Sequence, residues 1–117
     1  MDLNDDENPI QSPSAPTTKI IKSLFQVYRA VSDFLLLKDL FSLFSKLEKM
    51  FVDTYLIPMK THIFVKTEKA HTILVHELDY IRENTDQLFS QKLKLDFKKI
   101  ETVCREIESE KTVYLMP

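Results

Sequence analysis

The sequence predicts an all-α protein built from two long helices, and three observations lead to that prediction. The chain of 117 residues contains no glycine, although average usage would supply roughly eight. Because glycine allows the positive φ angles of tight turns and hairpins, its absence favours long helices with few connections. Charged residues make up 29%, as in amphipathic helices, and large apolar residues recur at helical spacing. We expect helices at about residues 18–57 and 60–111, packed as an elongated coiled-coil-like hairpin.

Residues 1–17 are predicted to form a disordered tail before these helices. They contain three prolines and four acidic residues with no basic residue, and apart from Met1 only Leu3 and Ile10 are large and apolar. Ser12 precedes a proline, which is the minimal form of a proline-directed phosphorylation site, but the dipeptide is common in tails of this composition. The helical domain is expected to span residues 18–112, and residues 113–117 are expected to fray.

The first predicted helix carries apolar residues on opposite sides in its two halves. At about 100° per residue, the apolar side chains of 20–31 lie opposite those of 37–55. The second group covers roughly 160–180° of the circumference, whereas one neighbouring helix needs about 100°. Either the helix breaks at Ser32 or Asp33, which can cap a new helix, or one continuous helix lies between partners. We favour the continuous helix because this stretch contains no strong breaker.

The second predicted helix follows Pro58, which disfavours the α conformation at Ile57 and should end the first helix there. Thr61 is the expected N-cap. Two apolar faces follow, offset by roughly 80°, and the second has the 4-3 spacing of a heptad seam. Either a four-residue stutter or a helix break near Asn84 explains the offset. The segment "KLKLDFK" alternates like a strand, but it is short and flanked by helical pattern, so we interpret it as helix.

The predicted helices display more apolar surface than two helices can bury against each other. Each large apolar side chain left in water forfeits about 1.5–3 kcal/mol, and contiguous exposed patches mark interaction sites. We therefore expect partner helices to complete a three- or four-helix bundle. A hetero-oligomer is favoured over a homo-oligomer because the seam is irregular and aromatic-rich. Some of the residues expected to face a partner must instead form the internal hairpin contact. The full set is Leu24, Val27, Val31, Leu36, Leu37, Leu40, Phe41, Phe44, Phe51, Leu93, Phe97, Ile100, Cys104 and Ile107.

No catalytic, metal or cofactor site is predicted, and we expect a non-enzymatic protein without a small-molecule substrate. His62 and His76 would lie about 21 Å apart on one straight helix, with His71 on the opposite side, so the three histidines cannot share a metal. Cys104 falls on the apolar seam, where a buried thiol is expected rather than a nucleophile. The glutamates of residues 101–110 fit a solvated helix face.

The charge pattern does not favour nucleic acid, because acidic residues dilute the lysines of 92–99 and the net charge is −2. The main alternative function is membrane-surface binding through the amphipathic helix 33–57, although its four acidic residues weaken attraction to anionic lipid. One cysteine and an acidic N-terminus without an apolar segment predict an intracellular location, in the cytoplasm or nucleus.

The predicted function is that of a structural or scaffold subunit that binds partner helices to complete a multi-subunit helical bundle. The architecture resembles, in a generic way, the small helical subunits of kinetochore, lysosome-positioning and transcription-mediator assemblies. Such subunits are short and fold as helical hairpins within hetero-oligomers. No motif of this chain is specific to any of them, so the resemblance is an analogy of architecture.

Overall fold

The structure is a computed structural model that describes residues 13–112, and every regular element among them is helical. The all-α prediction is confirmed, but the hairpin of two long helices is wrong, because each predicted helix is divided in two. The predictions of a disordered tail for residues 1–12, of phosphorylation at Ser12 and of fraying for residues 113–117 lie outside the described residues. The four helices are α1 (Ala15–Val31), α2 (Leu37–Phe51, Val52–Leu56 and Ile57–His62 in succession), α3 (Glu68–Thr85 and Asp86–Lys92) and α4 (Lys98–Thr112).

Helix α1 begins within the segment that was predicted to be a tail. Ser14 is its N-cap and accepts a hydrogen bond from the N–H of Thr17, with Pro16 in the first turn. The N–H of Ser14 also donates to Glu77 Oε1 (2.7 Å), and Thr17 Oγ1 donates to Glu77 Oε2 (2.9 Å). One carboxylate of α3 therefore holds the start of α1.

The chain turns at residues 32–36, so the continuous helix favoured there is wrong. The N–H groups of Phe34 and Leu35 both donate to Val31 O (3.0 Å each) and close the turn. Leu36 is the N-cap of α2, and no side chain forms a capping hydrogen bond there. The turn reconciles the two opposed apolar faces, because folding α2 back on α1 brings both faces into one core.

Helix α2 continues through Pro58 to His62, although the proline was predicted to end the helix. The residues before Pro58, Val52–Leu56, form a π-helical turn in which the N–H of Ile57 donates to Val52 O. A wider turn relieves the clash between the proline ring and the carbonyl one turn earlier, and proline has no N–H that needs a partner. Local geometry thus accommodates a residue that usually stops a helix.

Helix α3 begins at Glu68, later than the predicted start near residue 60. Its N-cap is Thr67, whose Oγ1 accepts a hydrogen bond from the N–H of Ala70 (3.0 Å). Thr61, the predicted cap, lies inside α2 and donates to the carbonyl of Ile57 (3.1 Å). The physical reason for the difference is that α2 passes Pro58, which moves the connection to residues 63–67.

The break in the second half of the chain lies beyond Asn84, and the helical interpretation of "KLKLDFK" is wrong. Asn84 lies inside α3, which ends in a second π-helical turn, Asp86–Lys92. The chain then turns with Lys94 at a φ of 57°, and residues 94–97 are not helical. A positive φ is uncommon outside glycine, and this chain has no glycine to place there.

One apolar core joins all four helices. Phe44 of α2 is completely buried, and its ring meets Tyr28 of α1 and Phe89 of α3 edge to face, with centroids 6.1 and 5.9 Å apart. Helix α4 completes the core with three fully buried residues of the predicted seam, Ile100, Cys104 and Ile107.

Between residues 13 and 112, no helix is long and apolar enough to cross a membrane.

Candidate interaction surfaces

Most residues that were predicted to face a partner lie in the core of the chain itself. Three connections divide the chain into four helices, and four helices cover one another over more surface than two. A partner could reach the buried residues only if the core opened. The buried ones are Leu24, Leu40, Phe44, Phe51, Leu93, Ile100, Cys104 and Ile107. Those partly buried against the same core are Val27, Val31, Phe41 and Phe97. The exposed ones are Leu36 and Leu37.

Four consecutive apolar residues at the α1–α2 turn form an exposed cluster, which we call the apolar tip: Phe34, Leu35, Leu36 and Leu37. Phe34, Leu36 and Leu37 are 82%, 67% and 64% exposed. Folding does not require this composition, because leucine is among the poorest N-cap residues and a polar residue would serve better. An exposed apolar cluster of this kind is typical of an interaction site.

Charges around the apolar tip are balanced. Arg29 and Lys38 lie close to it in sequence, but so do Asp33 and Asp39, and all four are exposed. Asp39 also lies in the first turn of α2, where a carboxylate interacts favourably with the helix dipole. The apolar tip therefore offers shape and hydrophobicity without a strong field of either sign.

A second apolar surface is a groove between α1 and α2 with a volume of about 410 Å³. It exists because α1 packs more closely against α3 than against α2. The hydroxyl of Tyr55, which lines the groove, shares a hydrogen bond with Thr17 Oγ1 and so joins the two helices. Tyr28 of α1 and Phe44 of α2 also meet edge to face. We call it the α1–α2 groove, and its apolar lining is Ile20, Leu24, Val27, Leu47, Met50 and Phe51.

A smaller apolar hollow of about 220 Å³ lies where α2 connects to α3. Phe64 is 70% exposed at its edge, and Ile63 is also exposed. The residues predicted to face a partner do not include Phe34, Met50 or Phe64. A usable signal was present for the phenylalanines, since each lies in a run of three or more consecutive large apolar residues that one helix face cannot bury.

The described residues offer little for catalysis. Burial raises the pKa of the Cys104 thiol to about 12, so the thiolate needed for nucleophilic attack is scarce near neutral pH. His71 Nε2 shares a hydrogen bond with Thr112 Oγ1 (2.7 Å). Within residues 13–112, no three His, Cys, Asp or Glu side chains are grouped as metal ligands would be. A polar cleft between α1 and α3 includes Lys22 and Arg29, but its lining contains neither a carboxylate nor a thiol.

No protein-family model, curated protein or solved structure matches the chain. The candidate surfaces are therefore interpreted from their own geometry and chemistry.

Proposed function

We propose that this chain is a non-enzymatic structural subunit that binds other helical proteins in a hetero-oligomeric assembly, with the apolar tip as its main docking element. The observation that supports this proposal is the exposure of Phe34, Leu36 and Leu37 on one turn. A soluble helical chain of this size gains nothing in folding from three large apolar side chains in water. Binding a partner's apolar pocket removes them from water, which is the usual source of affinity at the centre of an interface.

The energies indicate that the apolar tip does not act alone. At about 1.5–3 kcal/mol for each side chain, three of them supply about 5–9 kcal/mol at most. Association itself costs about 4–15 kcal/mol in lost translational and rotational freedom. The apolar tip by itself therefore supports weak binding, and a lasting complex needs a second contact surface. We propose neither a small-molecule substrate nor a nucleic acid as a partner.

The substitution Leu36→Asp separates binding from folding. Aspartate is a favoured N-cap residue, so at this uncapped helix start it is expected to stabilise the fold by about 0.5–2 kcal/mol. The same change places a charge in the middle of the apolar tip and is expected to abolish partner retention. Thermal unfolding of the purified variant measures the first effect. Native co-purification with tagged wild-type and variant chains measures the loss of partners, and each retained protein is identified.

Phe64→Asp is the matched control, because Phe64 is equally exposed but lies in the α2–α3 connection rather than in the apolar tip. This variant should keep the partners that the wild type retains. Equal retention by Leu36→Asp and the wild type would contradict the proposal, as would the absence of any specifically retained protein.

Peripheral membrane binding is the second candidate, because a turn with consecutive apolar residues can enter a lipid interface. In the fold, the apolar face of α2 lies in the core through Leu40, Phe44 and Phe51, so a helix 33–57 lying flat on lipid would require the core to open. The apolar tip remains available, but its balanced charges give little attraction to anionic lipid. Co-sedimentation with anionic vesicles that is lost in Leu36→Asp would favour this candidate over a protein partner.

A further inference from the structure

The α1–α2 groove provides the second contact surface that the energies of the apolar tip require. We infer that this groove binds an amphipathic helix of a partner protein whose apolar face is flanked by acidic residues. The inference rests on the proposed function, since it presupposes a helical partner. It uses a surface separate from the apolar tip, and it specifies the chemistry of the occupant.

The shape of the groove matches one side of a helix. Leu24 and Phe51 form a buried floor, whereas Met50 on the α2 side is 58% exposed. From Lys19 to Val27, the first and last residues of α1 in its lining, the helix rises about 12 Å, or roughly two turns. A docked helix of that length presents apolar side chains at positions i, i+3 or i+4, and i+7, as in other helix-in-groove complexes.

The charge within the lining of the groove is positive. Lys19 is part of its lining, which contains no carboxylate. On the α2 side, Lys46 is exposed one turn before Met50. Lys49 differs from both because its ammonium is paired with Asp53 at 2.8 Å. Acidic residues beside the apolar face of an incoming helix would meet Lys19 on one side and Lys46 on the other, which selects the partner by charge.

Two other occupants fit the groove less well. A second copy of the chain would have to offer an exposed apolar helix face, but the apolar faces of its helices are largely buried in its own core. Its apolar tip is a turn with balanced charges, not an acidic helix. A small apolar ligand would leave Lys19 of the lining without an acidic counterpart, whereas a helix flanked by acidic residues supplies one.

The test uses the full-length chain and two designed helical peptides of about 18 residues, long enough to reach appreciable helicity. Both carry leucines at the spacing given above; one has glutamates beside them and the other lysines. Fluorescence anisotropy is expected to show tighter binding of the glutamate peptide, by about threefold or more at low salt, with the difference shrinking as salt is added. Met50→Glu should weaken that binding about tenfold, as expected for a charge placed in an apolar contact.

Charge reversal makes the test specific. The double variant Lys19→Glu plus Lys46→Glu should prefer the lysine peptide, and Phe64→Glu, outside the groove, should behave as the wild type. Circular dichroism checks that each variant is folded, which is expected because Lys19, Lys46 and Met50 are exposed. Absence of binding, or binding that neither substitution changes, would overturn the inference. Self-association of the wild type that Met50→Glu abolishes would assign the groove to a second copy and also overturn it.

The two proposals can fail separately. If Leu36→Asp loses its partners while the groove variants bind the peptides as the wild type does, the proposed function stands and the groove assignment is wrong. If the groove variants behave as expected while Leu36→Asp keeps its partners, the assignment of the apolar tip is wrong instead.

Discussion

At the scale of single residues, Glu48 stands out because the hydrogen bonding of its carboxylate is incomplete. Its side chain is partly buried, and Oε2 is a buried atom that has no hydrogen-bond partner in the part of the chain that the structure describes. Burial raises the pKa of this carboxyl above its usual 4.5; nearby Lys99 opposes the rise and Asp96 adds to it. An acid whose pKa is raised by folding removes stability as the pH rises from the unfolded pKa through the folded one.

Glu48→Gln removes this charge without changing the size of the side chain. The variant is expected to melt a few degrees above the wild type at neutral pH, because the raised pKa of Glu48 lowers the stability of the wild type there. Below pH 4.5, the ordinary carboxyl value, the wild-type side chain is protonated and the two melting temperatures should converge. Thermal unfolding followed by circular dichroism across this pH range measures the melting temperatures of the variant and the wild type. A difference that stays constant with pH would show that the charge of Glu48 is not its cause.

At the scale of helices, the starts of α2 and α3 show two different solutions. Thr67 caps α3 through a hydrogen bond to the N–H of Ala70, so local sequence chemistry is sufficient there. At the start of α2, Leu36 contributes no capping bond, and packing must hold the helix in place. Leu40 and Phe44, one and two turns later, are buried in the core, which anchors the helix despite its poor cap.

Thr67→Ala and Thr61→Ala distinguish the cap that the structure shows from the cap that the sequence predicted. Thr67→Ala is expected to lower the free energy of unfolding by about 1 kcal/mol, or to lower the melting temperature by about 4 °C. Thr61→Ala should change the free energy of unfolding little, because exposed Thr61 only bonds back to carbonyls of its own helix. Urea unfolding measures the free energy of unfolding of both variants. Equal losses of stability would contradict the assignment of Thr67 as the cap.

At the scale of the whole molecule, the fold depends on aromatic contacts at the centre of the bundle. Phe44 touches a ring on α1 and a ring on α3, so one side chain connects three helices. Among the eight phenylalanines of the chain, Phe44 and Phe34 represent opposite extremes, with Phe44 fully buried and Phe34 exposed. A charge at Phe44 would therefore unfold the chain rather than release a partner.

Substitution by alanine should strongly destabilise the chain at Phe44 and leave its stability almost unchanged at Phe34. Phe44→Ala is expected to reduce the free energy of unfolding by about 3–5 kcal/mol, because it leaves a cavity in the core. Phe34→Ala is expected to change it by about 0.5 kcal/mol or less, as for an ordinary surface position, while weakening partner binding. Denaturant unfolding measures the two variants side by side. Similar stability losses would mean that Phe34 is packed against the core rather than exposed.

The sequence by itself determined the fold class and part of the core. The absence of glycine and the helical spacing of apolar residues predicted an all-α chain, and the 4-3 seam at Ile100, Cys104 and Ile107 is buried as an apolar seam should be. Both signals arise within single helices, where periodicity is a local property of the chain. Of the four residues of the apolar tip, Leu36 and Leu37 were among those predicted to face a partner.

Only the tertiary structure decided where the helices end and which apolar faces remain uncovered. The turn at residues 32–36 has no strong breaker, the turn at Lys94 adopts a φ that lysine rarely takes, and Pro58 is accommodated by a π-helical turn. In each case, burial of apolar surface between helices outweighs a local preference worth about 1–3 kcal/mol. Such burial joins residues far apart in the chain. Local patterns therefore could not show that four helices, rather than two, cover most of the apolar surface and leave the apolar tip and the α1–α2 groove exposed.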